Sequence, residues 1–115
     1  MRKKVKPTRP ALTPAIRHIR QDIGALDWVC AGTLLKRWKL CGRSNCRCAQ
    51  DPAARHGPYY EWSRRHNGRF VHSLLSAQQA QTVARAISNH KRILALLAQW
   101  RGETTRALKL QTSAK

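Results

Sequence analysis

The sequence predicts an α+β fold: a short N-terminal helix, a small three-stranded antiparallel sheet, and a long C-terminal helix packed on that sheet. Three observations support this prediction. Apolar residues recur at helical spacing near both ends of the 115-residue chain, two strand-like runs flank Asn67-Gly68, and three cysteines lie within positions 41–48. A chain of this length has room for a single domain, which we place over residues 11–102.

A short helix over about 14–26 is predicted by a capping residue and an apolar stripe. Thr13 suits the N-cap, and Pro14 suits the first helical position. Apolar residues then recur at helical spacing, at Ile16, Ile19, Ile23 and Leu26. The preceding residues 1–10 are basic and lack apolar periodicity, so we expect a disordered arm there.

Three strands are predicted, over residues 33–40, 58–65 and 69–75. The first shows partial alternation of apolar side chains after a glycine. The second and third flank His66-Asn67-Gly68, and an Asn-Gly pair between strand-like runs is the strongest local signal for a hairpin. We therefore expect all three strands to be antiparallel.

The hairpin is expected to have a three-residue loop, with Gly68 in the left-handed conformation. Such a loop would pair Tyr60 with Leu74, Trp62 with His72 and Arg64 with Phe70. The large apolar side chains would then share one face of the sheet, as burial against a helix requires.

A long helix is predicted over 77–101. Ser76 and Gln79 have the spacing of a capping box, and Gly102 is typical of a helix end. Residues 103–115 are expected to form a further short helix or a frayed basic tail. The apolar stripe of the helix indicates a core-facing side, and docking of a protein partner or a second copy through 77–101 is the alternative.

The loop between the first two strands predicts a metal site. Cys41, Cys46, Cys48 and His56 have the spacing Cys-x4-Cys-x-Cys-x7-His. Three thiolates and an imidazole are a common closed ligand set for tetrahedral Zn²⁺, and the loop has little else to bury. Cys30 is the alternative fourth ligand, and reduced surface thiols are the alternative to a metal. The sequence therefore predicts a zinc-stapled loop.

We expect this zinc site to be structural. Only Asp51 and Glu61 fall near the cysteines in the sequence, so the chain offers few general bases to act on zinc-bound water. The His/Cys-x-Glu motif that a zinc deaminase needs does not occur. Enzymatic activity is therefore not expected.

The charge of the chain predicts a polyanionic partner. It carries 23 Lys and Arg against 5 Asp and Glu, a formal net charge of +18. Cations at this density gain affinity for nucleic acid by releasing condensed counterions, whereas anionic membranes and acidic proteins are the alternative partners. No apolar run could span a bilayer and no apolar segment follows the basic N-terminus, so we expect a cytoplasmic protein with reduced cysteines.

Several motifs resemble an uncharacterised family of small bacterial and archaeal proteins that carry a domain of unknown function. They are Gly32-Thr33-Leu34, the segment from Cys41 to Cys48, His56-Gly57-Pro58-Tyr59-Tyr60 and Gly68, within about residues 30–100. The resemblance implies Cys41, Cys46, Cys48 and His56 as the metal ligands, with no counterpart of Cys30. It also implies a link to mobile genetic elements, because family members are often encoded near transposases, but no established activity.

The leading hypothesis is a small nucleic-acid-binding protein with a structural zinc site, with DNA favoured over RNA. The exposed sheet face, the hairpin tip and the zinc loop would present cations to phosphates. These cations are Lys36, Lys39, Arg43, Arg47, Arg64, Arg65 and Arg69. The alternative is an interaction protein, or an accessory subunit of a nucleoprotein complex, that docks through helix 77–101.

Overall fold

The structure, a computed structural model, describes residues 11–113, with side chains described as far as residue 110. The predicted arm over residues 1–10 lies outside the described residues. The elements are α1 (Pro14–Gly24), β1 (Thr33–Lys39), β2 (His56–His66), β3 (Arg69–Leu75) and α2 (Ala77–Ser113), with two short 3-10 helices, Arg47–Ala49 and Pro52–Ala54, between β1 and β2. The strands form an antiparallel sheet in the order β1-β2-β3. The predicted fold class is confirmed in its element types and their order.

The chain divides into two compact units. One comprises residues 26–92 and holds the sheet, the cysteine loop and the first turns of α2. The other holds α1 and the part of α2 from residue 93 onward. No described helix combines the length and the apolar character needed to cross a membrane.

Helix α1 begins as its sequence predicts and ends slightly earlier. Thr13 is the N-cap, and its Oγ1 accepts a hydrogen bond from the Ile16 backbone N–H at 3.2 Å. Ile16 and Ile19 are buried, as is Leu96 of α2 in the same unit. The helix ends at Gly24 instead of near residue 26, because glycine disfavours continued helix.

Helix α2 begins with the predicted capping box. The Ser76 backbone N–H donates to Gln79 Oε1 at 2.9 Å, and the Gln79 N–H donates to Ser76 Oγ at 3.1 Å. The two reciprocal bonds satisfy backbone donors that the first helical turn leaves without partners.

The predicted end of this helix at residue 101 is wrong. The helix continues through Gly102 to Ser113, so residues 103–110 belong to it. A glycine inside a helix costs only about 1 kcal/mol relative to alanine, and good helix formers on both sides can outweigh that cost. Leu94 and Leu97 are exposed on this helix, and docking through it stays a prediction.

The predicted three-residue hairpin loop is also wrong. His66 pairs with Arg69, so the turn contains only Asn67 and Gly68. Both have positive φ, 52° and 77°, as in a type I′ turn, whose twist matches that of the flanking strands. This local preference shifts the register by one residue from the predicted pairing. Phe70 consequently lies opposite Arg65 instead of Arg64.

Within the sheet unit, the segment before β1 makes polar contacts with the first turns of α2. The Asp27 carboxylate pairs with the Arg85 guanidinium at 2.8 Å and accepts a hydrogen bond from Asn89 at 2.9 Å. The hydrogen bond from Arg85 holds the pKa of Asp27 below its usual value. The Cys30 backbone N–H donates to the Ala86 carbonyl of α2 at 3.2 Å.

Gly57 allows β2 to approach β1 closely. Its φ is 144°, and a Cβ at this position would lie 2.7 Å from the Arg37 carbonyl oxygen and 3.1 Å from Trp38 Cδ1. The β1–β2 register shifts between Arg37 and Lys39, and beyond this irregularity Lys39 lies opposite His56. A side chain at Gly57 would therefore disturb the point where β2 begins.

We expect Gly57→Ala to lower the free energy of unfolding by about 2 kcal/mol or more, because it combines an unfavourable φ with a backbone clash. Urea unfolding followed by circular dichroism measures this change. Gly68→Ala is the matched control, since its φ is also positive but a Cβ there would meet nothing within 4 Å. It should cost about 1 kcal/mol. Equal losses in the two variants would contradict the close approach at Gly57.

Candidate metal centre

Successive tight turns shape the loop between β1 and β2. The Cys46 N–H donates to the Arg43 carbonyl at 3.2 Å, and the Ala49 N–H donates to the Cys46 carbonyl at 3.1 Å. The Asp51 carboxylate then accepts a hydrogen bond from the Ala53 N–H at 3.0 Å and caps the second 3-10 helix. The chain thus doubles back repeatedly, which brings residues that are distant in sequence to one place.

The four predicted ligands converge at this place. The Sγ atoms of Cys41, Cys46 and Cys48 and a ring nitrogen of His56 all lie within 4.8 Å of one another. Cys41 Sγ is 3.5 Å from Cys48 Sγ, and Cys46 Sγ is 3.2 Å from His56 Nε2. The four residues are therefore close enough to hold a metal ion.

Two of the separations between donor atoms are close to those around a tetrahedral ion. Zn–S and Zn–N bonds of about 2.3 and 2.0 Å place two sulfurs about 3.8 Å apart and a sulfur and a nitrogen about 3.5 Å apart. The separations of Cys41 from Cys48 and of Cys46 from His56, 3.5 and 3.2 Å, differ from those lengths by only a few tenths of an ångström. An ion could enter with small shifts of the side chains.

Cys30, the alternative fourth ligand, lies elsewhere. Its Sγ is 4.0 Å from the Val83 carbonyl oxygen of α2, and its backbone N–H is bonded to Ala86 in the same helix. Burial raises the pKa of the Cys30 thiol, although the positive charge of Arg64 acts in the opposite direction. The cluster therefore contains His56 and not Cys30.

The pKa values of Cys46 and Cys48 are shifted in opposite directions. Hydrogen bonds from the Cys48 backbone N–H, and from the Cys48 and Cys41 side chains, lower the pKa of Cys46. At Cys48 the Cys41 backbone N–H acts to lower the pKa, but burial and the neighbouring thiols together raise it above its usual value. Cys48 is also the buried member of the group, at 2% exposure. A metal ion that binds here would replace the protons that these thiols hold.

A family model matches residues 10–85, which include α1, the sheet, the cysteine loop and the start of α2. The match covers more than half of the chain. The chain belongs to the family described as domain of unknown function DUF6788. A search of curated proteins found no match, and neither did a search of solved structures. The resemblance that the sequence motifs indicate is thereby confirmed as far as membership of a family of unknown function.

The sheet of this DUF6788 member has two unlike faces, because side chains alternate along each strand. One, the half-buried face, carries Leu34, Lys36, Tyr60, Trp62, Arg64, Val71, Ser73 and Leu75. The other, the open face, carries Leu35, Arg37, Tyr59, Glu61, Ser63, Arg65, Phe70, His72 and Leu74. Phe70 and Leu74 of the open face are 66% and 68% exposed.

The seven cations predicted to contact phosphates do not share one exposed sheet face. Arg64 lies on the half-buried face, where its guanidinium is 3.8 Å from the Trp62 ring centroid and donates to Ser73 Oγ at 2.9 Å. Lys36 lies opposite Tyr60, on the same face as Arg64. Because side chains alternate along a strand, Arg65 lies on the opposite face from Arg64.

The remaining predicted cations lie on the open face, in the loop or at the hairpin tip. Arg65 is on the open face, and Lys39 Nζ lies 5.7 Å from the centroid of the Tyr59 ring on that face. Arg43, Arg47 and Arg69 are exposed in the cysteine loop and beside the turn.

Sequence reasoning overlooked Arg37, which also lies on the open face and pairs with Glu61 at 3.8 Å. The two-residue alternation of a strand could have identified it, because Arg37 is two residues from Leu35 and must lie on the same face.

We expect the purified protein to contain close to one zinc ion per chain, and Cys46→Ser to contain far less, because three remaining ligands hold the ion weakly. Inductively coupled plasma mass spectrometry measures both the identity and the amount of the metal. Cys30→Ser is the matched control and should retain the metal, since Cys30 lies outside the cluster. A wild-type protein without metal, or equal metal loss in the two variants, would contradict this ligand set.

Proposed function

We propose that this protein binds nucleic acid through exposed cations on a domain whose loop is held by a structural zinc ion. The observation that carries this proposal is the net charge of +18, together with the pairing of the acidic residues in the sheet unit. Within residues 26–92 the acids are Asp27, Asp51 and Glu61, and each one pairs with an arginine. The cations there outnumber these acids, so a polyanion is the partner that this charge favours.

Zinc is the metal that best suits the donor set. Thiolates select soft or borderline ions over Mg²⁺ and Ca²⁺, and a Cys3His set with tetrahedral spacing is typical of structural zinc. Four protein ligands leave no open position for water or substrate. We therefore infer that the ion stabilises the loop and performs no catalysis.

The neighbouring carboxylates support a structural role for the zinc. Asp51 pairs with Arg47 at 3.9 Å and also caps a short helix. Glu61 lies between Arg37 at 3.8 Å and His72 at 3.5 Å. Both carboxylates therefore already have partners within the loop and the sheet.

The loop exposes its arginines to solvent. Arg47 is 86% exposed in its side chain, and its contact with Asp51 is a surface pair worth little in stability. Arg43 is likewise exposed. A metal-held loop with solvent-exposed guanidinium groups is suited to phosphate contacts, which give affinity and register without choosing a base sequence. The resemblance to proteins encoded near transposases supports DNA as the partner.

Binding to a labelled oligonucleotide should weaken steeply with salt. For about four phosphate contacts to a duplex, raising the salt from about 50 to 200 mM should weaken binding on the order of 100-fold, because condensed counterions must then be displaced against a higher salt concentration. Fluorescence anisotropy measures the dissociation constant at each salt concentration. An affinity that stays constant over this range would contradict the electrostatic mechanism.

The double variant Arg43→Gln, Arg47→Gln tests the role of the loop in the same assay. It should reduce the slope of log K against log salt by about 2, because two phosphate contacts are lost. Lys91→Gln is the matched control, since it removes an exposed cation from α2 and should leave the slope unchanged. Equal slopes for the wild type and the double variant would exclude the loop as a phosphate-contacting surface.

A further inference from the structure

The open face of the sheet exposes rings and aliphatic groups that a folded chain normally buries. Phe70 is 66% exposed, Leu74 is 68% exposed and Tyr59 is 41% exposed. The two-residue turn is responsible, because it places Phe70 and Leu74 opposite Arg65 and Glu61 instead of opposite Arg64 and Tyr60. An exposed apolar surface of this kind commonly marks a place where a ligand or partner binds.

The rings on the open face are accompanied by cations. The Arg65 guanidinium lies 4.7 Å from the Phe70 ring centroid, and Lys39 Nζ lies 5.7 Å from the Tyr59 ring centroid. These two pairs lie near opposite ends of β2, because Tyr59 and Arg65 are six residues apart, about 20 Å along a strand. An arrangement that repeats ring and cation along a strand suits a ligand that repeats base and phosphate.

The middle of the open face is polar. Glu61 lies between Arg37 and His72, which are 3.8 and 3.5 Å from its carboxylate, so its negative charge is opposed by close cationic or ionisable neighbours. Ser63 Oγ is hydrogen-bonded to His72 Nδ1 at 2.7 Å. These hydroxyl, imidazole and carboxylate groups can exchange hydrogen bonds with the edges of bases.

We propose that the open face binds single-stranded nucleic acid, with bases stacked on Phe70 and Tyr59 and phosphates beside Arg65 and Lys39. This inference rests on the proposed function and specifies its ligand class. Stacking on a side chain requires a base with a free face, which unpaired strands offer and a duplex does not. Charge complementarity between the basic sheet unit and a phosphate backbone selects this occupant over an apolar protein surface.

Single-stranded DNA and single-stranded RNA share the chemistry that this face recognises. The test therefore compares a labelled single-stranded DNA of about 12 nucleotides, an RNA of the same sequence, the matching DNA duplex and an abasic strand of equal length. The wild-type protein should bind at least one of the two single strands several-fold more tightly than the duplex and the abasic strand. The single strand that binds more tightly shows whether the preferred ligand is DNA or RNA.

Phe70→Leu tests the stacking directly, because it retains an apolar side chain and removes the aromatic face. It should weaken binding to the preferred single strand about 5-fold or more, the lower end of the effect of losing one stacked base. It should leave abasic-strand binding unchanged. Leu94→Ala is the control, since it trims an exposed apolar side chain of α2 outside the open face, and it should change neither affinity. Circular dichroism melting confirms that both variants fold.

Three outcomes would overturn the inference. The first is that the wild-type protein binds the duplex more tightly than both single strands. The second is that Phe70→Leu binds the single strand as tightly as the wild type, and the third is that this variant loses as much affinity for the abasic strand as for the single strand. Each would show that no base stacks on this ring. In these cases salt-dependent binding would persist and the proposed function would stand. Failure to bind any of the four probes would overturn the proposed function as well.

Discussion

The convergence of three thiols and one imidazole on a single point is the constraint on which the sheet unit depends. Cys48 is buried in the loop between β1 and β2, whereas the residues around it are exposed or half-buried. Hydrophobic burial therefore contributes little to the shape of this segment. A structural zinc ion can contribute on the order of 10 kcal/mol of binding free energy, which couples directly to folding. A bound ion would thus stabilise this segment as an apolar core does in a larger domain.

The same constraint extends into the sheet through His56, which is both a cluster residue and the first residue of β2. Gly57 follows it and lies against the backbone of β1, so the position of His56 and the pairing of the two strands are set together. Tyr59, two positions beyond Gly57, is already on the open face. A short stretch of chain therefore connects the candidate metal centre to the candidate binding surface.

Local signals predicted those parts of the fold that local interactions determine. The Thr13 cap and the Ser76 capping box each depend on residues close in sequence, and the structure confirms them. The choice of His56 over Cys30 was implied by the family resemblance, and His56 does lie in the cluster. The end of α2 was not predictable from Gly102, because the cost of one glycine is small compared with the sum of its neighbours' helix propensities.

The prediction of the hairpin register was wrong for a different reason. The prediction assumed that the sheet would gather its large apolar side chains on one buried face, whereas the Asn67-Gly68 turn geometry prevails and leaves Phe70 exposed. Where local geometry overrides burial, a function of the exposed group is a reasonable expectation.

X-ray absorption spectroscopy of the zinc-loaded protein at the zinc K-edge tests the central claim most directly. We expect three sulfur ligands at about 2.3 Å and one nitrogen ligand at about 2.0 Å, with the outer-shell scattering of an imidazole. Four sulfur ligands would place Cys30 in the site instead of His56. A first shell of oxygen and nitrogen alone would show that the cysteine cluster does not hold the ion.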